Sequence, residues 1–294
     1  MTNSRIGALE AGGTKMVLGL YVNGELAEQT TLPTEAPEKT LPAMKAWFDE
    51  RKIDALGIAS FGPLCLDPAS KDWGSITSTP KPGWRNTPLA GYLSDGGRIP
   101  CGVDTDVNAA ALAEVRLGAA KGARCAVYVT IGTGVGGGIV VDGKPLHGLL
   151  HPEVGHILLQ PHPKDPIPEG VCPFHRGCLE GLAAGPAFGK RAGRPGNEVP
   201  DEDPAVEIEA WYLAQMCADL LLTLSPEKIL LGGGVMQRKA LYPMIREKTL
   251  ALLNGYIQQE TLLEHPEEII TAPALFPLSG LVGAYLLGLE AAAH

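Results

Sequence analysis

The chain has 294 residues, which is longer than an ordinary single domain, so two lobes are predicted. A hydrophobic content of 45% allows a sizeable core, and a formal net charge of −9 argues against a partner such as nucleic acid. The apolar stretches are too short and too often broken by glycine to span a membrane, and the first residues do not resemble a signal peptide. We therefore expect a cytoplasmic protein with no membrane partner.

The first half of the chain alternates between strand and helix patterns. Short apolar segments predict strands at 6–10, 16–22, 53–60 and 100–103. Helical spacing of apolar residues predicts helices over 42–52 and 109–117. Residues 65–98 are rich in Pro, Gly, Ser and Thr, which predicts a loop region with room for one helix.

The second half repeats this alternation. Strands are predicted at 126–131, 139–141, 228–231 and 269–271. Helices are predicted over 179–191, with a break at Gly185-Pro186, and over 205–224, 242–259 and 281–293. This order of elements is typical of an α/β protein.

One short pattern occurs in both halves. A strand, a Gly/Thr-rich turn, a second strand and an Asx-Gly turn follow one another over 9–25 and again over 131–144. The dipeptides Asn23-Gly24 and Asp142-Gly143 are typical of two-residue hairpin turns. The repetition predicts a duplicated α/β domain.

Two cysteines and two histidines between residues 156 and 178 indicate a metal site. Cys172, His175 and Cys178 are spaced by two residues, and His156 lies upstream, although His151 or His162 could replace His156 as the fourth ligand. Thiolate and imidazole donors on a Pro/Gly-rich loop suit tetrahedral Zn²⁺, and four protein ligands make such a zinc structural. A disulfide between the two cysteines is the alternative, disfavoured because disulfides are rare in the cytosol.

Three glycine clusters follow predicted strands, where the missing Cβ lets backbone N–H groups approach a phosphate. None of them is a Walker A loop, and Gly132-x-Gly134-x-x-Gly137 opens no helix, so the dinucleotide fingerprint does not apply. Taken alone, each would be an ordinary turn. Together they predict a nucleotide site, with hydroxyl groups offered by Thr14 and Thr133.

Phosphoryl transfer needs a metal ion, positioning and a carboxylate that takes the proton of the acceptor. Asp106 is the candidate base, because it lies between a predicted strand and a predicted helix. Glu10, beside the first glycine loop, could hold Mg²⁺ directly or through water, and Lys15 either meets a phosphate or is simply exposed. Capping of the helix is the alternative role for both Asp106 and Asn108.

These motifs resemble the ROK sugar kinases of the actin/hexokinase-like superfamily over nearly the whole chain. The match rests on the segments that begin at Glu10, Asp104, Gly132, Glu153 and Leu231. The resemblance implies an α/β fold of two duplicated actin/hexokinase-like (ribonuclease H-like) domains flanking a cleft, with a zinc-bearing loop. It implies a smaller lobe over 1–115, against which the C-terminal helix packs, and a larger lobe over 116–294.

The resemblance also implies roles for individual residues. Asp106 is the catalytic base that deprotonates a sugar hydroxyl, which attacks the γ-phosphate of Mg-ATP. The implied sugar site consists of Gly62, Pro63, Asp106, Asn108, Glu153 and His156. The implied nucleotide and Mg²⁺ site consists of Glu10, Gly12, Gly13, Thr14, Lys15, Gly132, Thr133, Gly134, Gly185, Pro186, Gly233 and Gly234. The implied zinc ligands are His156, Cys172, His175 and Cys178.

Departures from the family pattern favour its fructokinase branch, with D-fructose converted to fructose 6-phosphate. They are Glu10 in place of Asp, His175 in place of a third cysteine, and Asp-Thr-Asp at 104–106 in place of Glu-Asn-Asp. Mannose, glucose or an N-acetylated amino sugar are the alternative substrates, and a homodimer is expected by the same resemblance. A DNA-binding regulator is disfavoured by the acidic charge and the early first loop, and a non-catalytic sugar-binding protein by the intact Asp106.

Overall fold

The computed structural model describes residues 4–79 and 81–293, in which ten strands and ten α-helices are present. The strands are β1 Arg5–Ala11, β2 Lys15–Val22, β3 Glu25–Pro33, β4 Ala55–Ser60, β5 Cys101–Thr105, β6 Cys125–Ile131, β7 Val135–Val141, β8 Lys144–Pro145, β9 Lys228–Gly232 and β10 Ile270–Thr271. The helices are α1 Pro37–Arg51, α2 Leu89–Leu93, α3 Asp106–Leu117, α4 Leu179–Ala183, α5 Gly185–Ala192, α6 Pro204–Leu224, α7 Leu241–Leu253, α8 Glu260–Glu264, α9 Pro266–Ile269 and α10 Ser279–Ala291. Short 3-10 helices cover Val154–His156, Gly196–Glu198 and Val235–Gln237.

The chain divides into two compact units. The first unit contains the described residues between 4 and 114 together with 144–152 and 277–293. The second unit contains residues 115–143 and 153–276.

The two sheets have the same topology, which confirms the predicted duplication. The first sheet has the order β3-β2-β1-β4-β5, and the second has the order β10-β9-β6-β7-β8, so β6 corresponds to β1 and β9 to β4. In each sheet the central strand pairs antiparallel with the next strand in the chain and parallel with the strand on its other side. Two mixed α/β sheets of one topology agree with the duplicated domains that the resemblance implies.

The hairpin turns repeat with the same backbone conformation. Asn23 and Gly24 have φ of 53° and 91°, and Asp142 and Gly143 have φ of 48° and 77°. Two consecutive positive φ angles define the type I′ turn, whose twist matches that of the flanking strands. The two Asx-Gly dipeptides predicted this correctly.

In the first unit, one face of the sheet packs against α10. This helix approaches β4 closely enough that a Cβ added at Gly57 would lie 1.7 Å from the backbone oxygen of Ala284. Glycine is therefore required at this position of β4. The largest core side chains of this unit include Phe48 of α1 and Trp84 of the loop between β4 and α2, both fully buried.

The core of the second unit surrounds α6. Thirteen of the 21 residues of this helix are buried, so most of its circumference faces other elements. Helices α4, α5 and α7 pack against it. No helix in the described part of the chain combines the length and apolarity that a membrane crossing requires.

The structure corrects the predicted end of one helix. The pattern predicted a helix over 242–259, but α7 ends at Leu253, because Asn254 and Gly255 both take left-handed conformations with φ of 46° and 73°. Asn and Gly are the residues that most readily end a helix in this way. The predicted strand at 269–271 is present only as β10, since Ile269 belongs to α9.

Candidate functional site

Asp106 lies where β5 meets α3, as the sequence predicted. The capping role suggested for Asp106 or Asn108 belongs instead to Thr105, whose Oγ1 accepts a hydrogen bond of 3.1 Å from Asn108 N. The Asp106 Oδ1 accepts a hydrogen bond of 2.9 Å from Val107 N. These hydrogen bonds from backbone amides of α3 hold the side chains of Thr105 and Asp106 at the junction of β5 and α3.

The pKa values of two acidic side chains in the first unit, Glu10 and Asp106, are raised. Burial, and then the charge of Asp106, raise the pKa of Glu10 to about 7, while Lys15 and the Leu281 N–H oppose the shift. Burial raises the pKa of Asp106 to about 6 against hydrogen bonds from backbone N–H groups. Neighbouring carboxylates of this kind favour a bound cation or a shared proton.

The loop between β1 and β2 is a tight turn. Gly12 N donates to Lys15 O over 2.9 Å, and Thr34 Oγ1 donates to Gly12 O over 2.8 Å. Gly13, Thr14 and Lys15 are exposed, so their backbone and side-chain groups are open to a ligand.

The second glycine loop borders a cavity within the second unit. Gly132 N donates to Gly134 O over 2.9 Å, and Gly185 N, at the start of α5, donates to Gly132 O over 2.7 Å. The Glu180 Oε2 accepts a hydrogen bond of 3.0 Å from Val135 N, which joins the loop to α4.

This cavity has a volume of about 880 Å³ and brings together five of the residues predicted to bind nucleotide. Its lining consists of Gly132, Thr133, Gly185, Pro186, Phe188, Gly196, Asn197, Asp201, Gly234, Val235, Gln237, Arg238 and Lys239. Gly233 follows β9 with φ of 89°, and a Cβ there would lie 2.3 Å from Ile131 O. Glycine at this position lets the turn approach the end of β6.

Sequence reasoning missed Arg238, which builds one wall of the cavity. Its guanidinium forms an ion pair with Asp201 and donates to Gly196 O over 3.1 Å and to Val199 O over 2.6 Å. It also lies 5.6 Å from the centre of the Phe188 ring. Arg238 belongs to no sequence motif, and its partners lie close to it only in the folded chain.

The four predicted metal ligands lie together in the second unit. The donor atoms of His156, Cys172, His175 and Cys178 are all within 4.8 Å of one another. Cys172 Sγ lies 3.8 Å from His175 Nδ1, and Cys178 Sγ lies 3.7 Å from His156 Nδ1. All six cysteines of the chain are free thiols, so the alternative disulfide is absent.

The two other histidines considered as metal ligands lie elsewhere. His151 belongs to the first unit, where its Nε2 accepts a hydrogen bond of 3.2 Å from Leu64 N. His162 Nδ1 accepts a hydrogen bond of 3.2 Å from Lys164 N. The cluster of nitrogen and sulfur donors therefore contains His156.

The residues expected to contact a sugar are distributed over both units. Gly62, Pro63 and Asn108 belong to the first unit, and Glu153 and His156 belong to the second. The Gly62-Pro63 peptide bond is cis, and Thr77 N donates to Pro63 O over 2.8 Å. Glu153 is exposed at the start of the 3-10 helix that carries His156.

The comparison with protein families decides the assignment. The model described as "ROK family" matches residues 6–291. The chain belongs to the ROK family. The predicted resemblance is thereby confirmed.

Several curated relatives of this chain are named fructokinase. The one from Zymomonas mobilis is 44% identical over 97% of this chain and 96% of its own length. The one from Pediococcus pentosaceus is 43% identical over 96% of both chains. A glucokinase from Halalkalibacterium halodurans is 30% identical over 77% of this chain and 79% of its own length. The crystal structure of a ROK hexokinase from Thermus thermophilus is similar with a TM-score of 0.77 and 29% identity, covering 99% of this chain and all of the other.

Proposed function

We propose that this ROK protein is an ATP-dependent fructokinase that converts D-fructose to fructose 6-phosphate. The observation that carries the proposal is the identity of 43–44% to two fructokinases over nearly the full length of each chain. The Asp106 carboxylate supports the reaction type, because it lies at the end of β5 with a pKa suited to a base.

In the proposed reaction Asp106 accepts the proton of the fructose 6-hydroxyl. The hydroxyl oxygen forms a bond to the γ-phosphorus of ATP as the bond between that phosphorus and the β,γ-bridging oxygen breaks, which releases ADP. With its pKa raised to about 6, roughly 90% of Asp106 is ionised at pH 7. Asp106 is therefore mostly in its basic form, and its pKa is close to the pH at which it acts, where general-base catalysis is most effective.

The nucleotide is proposed to occupy the cavity of the second unit. A volume of about 880 Å³ is ample for a nucleotide, and the glycines at its border leave backbone N–H groups accessible to phosphate. Gly132, Thr133 and Gly134 are proposed to hold the phosphates, with Gly185, Pro186, Gly233 and Gly234 around the nucleoside. Gly12, Gly13, Thr14 and Lys15 are the proposed phosphate contacts of the first unit.

Mg²⁺ is proposed to bind at Glu10 with the ATP phosphates. Glu10 is buried close to the charge of Asp106, and a cation bound there would compensate the charge of the two carboxylates. Carboxylate and phosphate oxygens are the ligands that Mg²⁺ prefers. When bound, the ion would neutralise charge on the phosphates.

Zn²⁺ is proposed to bind His156, Cys172, His175 and Cys178. Ideal tetrahedral geometry with Zn–S and Zn–N distances of about 2.3 and 2.05 Å places sulfur and nitrogen about 3.6 Å apart. The observed separations of 3.7 and 3.8 Å fit this arrangement. Four protein donors leave no open position, so the ion would stabilise the loop rather than take part in the reaction.

Three expectations complete the proposal. We propose that Gly62, Pro63, Asn108 and Glu153 contact the sugar together with His156. The catalytic aspartate and first phosphate loop are assigned to a lobe over 1–115, and the remaining nucleotide and zinc residues to a lobe over 116–294. A cytoplasmic homodimer is the proposed working form.

The proposal is tested by measuring ADP release from Mg-ATP with fructose, mannose, glucose and N-acetylated amino sugars. Preference for fructose, lost in Asp106→Asn, is the expected result. Turnover of glucose alone would instead support the second candidate, a glucokinase like the 30% identical relative. Absence of turnover on every sugar by the folded, zinc-loaded protein would overturn the kinase proposal.

A further inference from the structure

The segment over 144–152 of the first unit carries a histidine that the proposed reaction has not used. His147 Nε2 lies 2.9 Å from Asp104 Oδ2. The Asp104 side chain is only 3% exposed, whereas that of His147 is 41% exposed. A buried carboxylate thus holds one edge of an imidazole whose remainder is accessible to a ligand.

The remaining hydrogen bonds of Asp104 fix the position of this pair. Asp104 Oδ1 accepts from Thr105 N over 2.7 Å and from Asn108 Nδ2 over 2.8 Å. Both carboxylate oxygens are therefore engaged, and the carboxylate partner assigns a proton to His147 Nε2. The other ring nitrogen, Nδ1, has no hydrogen-bond partner among the residues that the structure describes.

Asn108 lies beside this histidine, with its Nδ2 3.4 Å from His147 Nε2. Its side chain is fully buried, and its Oδ1 has no hydrogen-bond partner within the described chain. The amide orientation is set by the bond from Nδ2 to Asp104. Buried polar atoms are rarely left without a partner, so Asn108 Oδ1 indicates a ligand that donates a hydrogen bond.

The chemistry of these two atoms selects one class of ligand. Asn108 Oδ1 can only accept a hydrogen bond, so an ionised carboxylate or a fully ionised phosphate, which offers only acceptors, cannot satisfy it. His147 Nδ1 accepts when the ring is neutral and donates when it is charged. A hydroxyl group both donates and accepts, and neighbouring hydroxyls of a sugar can meet both atoms.

We propose that His147 is a substrate-binding residue, which Asp104 orients so that Nδ1 and Asn108 Oδ1 together bind hydroxyl groups of the sugar. This inference rests on the proposed function and adds to it a residue that recognises the acceptor. Asp104 is a positioning residue in this account, since it acts through His147 and Asn108.

Two amide substitutions at His147 distinguish a role in sugar binding from a role that only holds Asp104 in place. The amide of Gln reaches the position of Nε2, so His147→Gln keeps a donor to Asp104 and loses Nδ1. The amide of Asn lies near the position of Nδ1, so His147→Asn does the opposite. We expect His147→Gln and His147→Ala to raise the KM for fructose about tenfold, with His147→Asn affected less, because one hydrogen bond to the sugar is lost.

The KM for ATP should change by less than about twofold in these variants, since His147 is not among the proposed contacts of the nucleotide and does not line its cavity. Asp104→Asn should raise the fructose KM at least as much, and combining it with His147→Gln should raise KM by less than the product of the two single effects, because Asp104 acts in part through His147. His265→Gln is the matched control, since His265 is an exposed histidine 3.6 Å from the carboxylate of Glu267.

A normal KM for fructose in His147→Gln, together with a raised KM in His147→Asn and His147→Ala, would overturn the inference. His147 would then only hold Asp104 in place. A parallel rise in the KM for ATP would overturn it as well. If the wild type phosphorylates fructose in either case, the proposed function survives. If the wild type prefers another sugar, the same variants are measured with that sugar, and an unchanged KM in His147→Gln refutes the inference there too.

Discussion

A buried carboxyl group on α6 leads to a prediction about stability and pH. Glu209 is fully buried, and its Oε2 accepts a hydrogen bond of 3.0 Å from Arg191 Nη1. Its Oε1 has no hydrogen-bond partner among the described residues. Arg191 is already paired with Asp165, which lies in the loop between the proposed zinc ligands.

The two carboxyl groups beside Arg191 differ in their pKa shifts. Burial raises the pKa of Glu209 to about 8, with Arg191 opposing the shift and the charge of Asp165 adding to it. Burial also acts to raise the pKa of Asp165, but hydrogen bonds from Arg191, Ile167 N and Tyr212 outweigh it, and the pKa is lowered. At neutral pH the cluster therefore holds one ion pair and one neutral carboxylic acid.

The sign of the pH effect follows from proton binding. Between the unfolded pKa of 4.5 and the folded pKa of about 8, the folded protein keeps a proton that the unfolded chain releases. The stabilisation from Glu209 is therefore complete below pH 4.5 and is lost as pH rises through 8. For these two pKa values the loss between pH 6 and pH 9 is about 2.5 kcal/mol of unfolding free energy.

Glu209→Gln replaces the acid by an uncharged amide of similar shape, and should abolish this dependence. We expect the difference in unfolding free energy between variant and wild type to shift by about 2.5 kcal/mol in favour of the variant from pH 6 to pH 9. Urea denaturation followed by circular dichroism at several pH values measures it, with zinc saturating throughout. All other titrating groups cancel in the difference.

The matched control lies two residues away on the same helix. Glu207 is 63% exposed and pairs with Lys248 over 3.3 Å, so Glu207→Gln should change stability by less than about 1 kcal/mol at every pH. A constant difference between Glu209→Gln and the wild type from pH 6 to pH 9 would refute the assigned protonation of Glu209.

Three further predictions concern the base, the zinc loop and the sheet. Asp106→Asn should lower kcat by about 100-fold or more, and wild-type kcat/KM should rise with pH through about 6 in steady-state assays, because the base must be ionised. Metal analysis should find one zinc ion per chain. Cys172→Ser should lose this zinc and lower the Tm by roughly 5–10 °C in thermal scans. Full retention of zinc by the variant would contradict the assignment of Cys172 as a ligand. Gly57→Ala should lower the free energy of unfolding by about 2 kcal/mol or more, because the added Cβ would clash with Ala284 O. Gly91→Ala is the control, because a Cβ at Gly91 has open space around it. Equal thermal stability of the two variants would contradict this prediction.

The repeated local patterns were the most predictable part of the fold. The Asx-Gly turns and glycine loops define a hairpin in each half, and the shared sheet topology confirms the duplication they indicated. The zinc-type spacing was also readable, because Cys172, His175 and Cys178 are close in sequence and lie together in the structure. Such features depend on local chemistry.

Features created by distant contacts were not predictable. Arg238 reaches residues about 40 positions away, and His147 reaches Asp104 across 43 positions, so no local pattern marks either. The end of α7 at Leu253 was missed for another reason. The helical pattern of apolar residues continues past Asn254 and Gly255, but their left-handed conformations stop the helix.

One competition experiment tests the central claim most directly. Equal amounts of fructose and glucose are incubated in one tube with Mg-ATP and the protein, and the phosphorylated products are identified by ³¹P NMR. Fructose 6-phosphate as the main product, absent with Asp106→Asn, is the predicted result. Glucose 6-phosphate as the main product, or equal product formation by Asp106→Asn, would contradict the account.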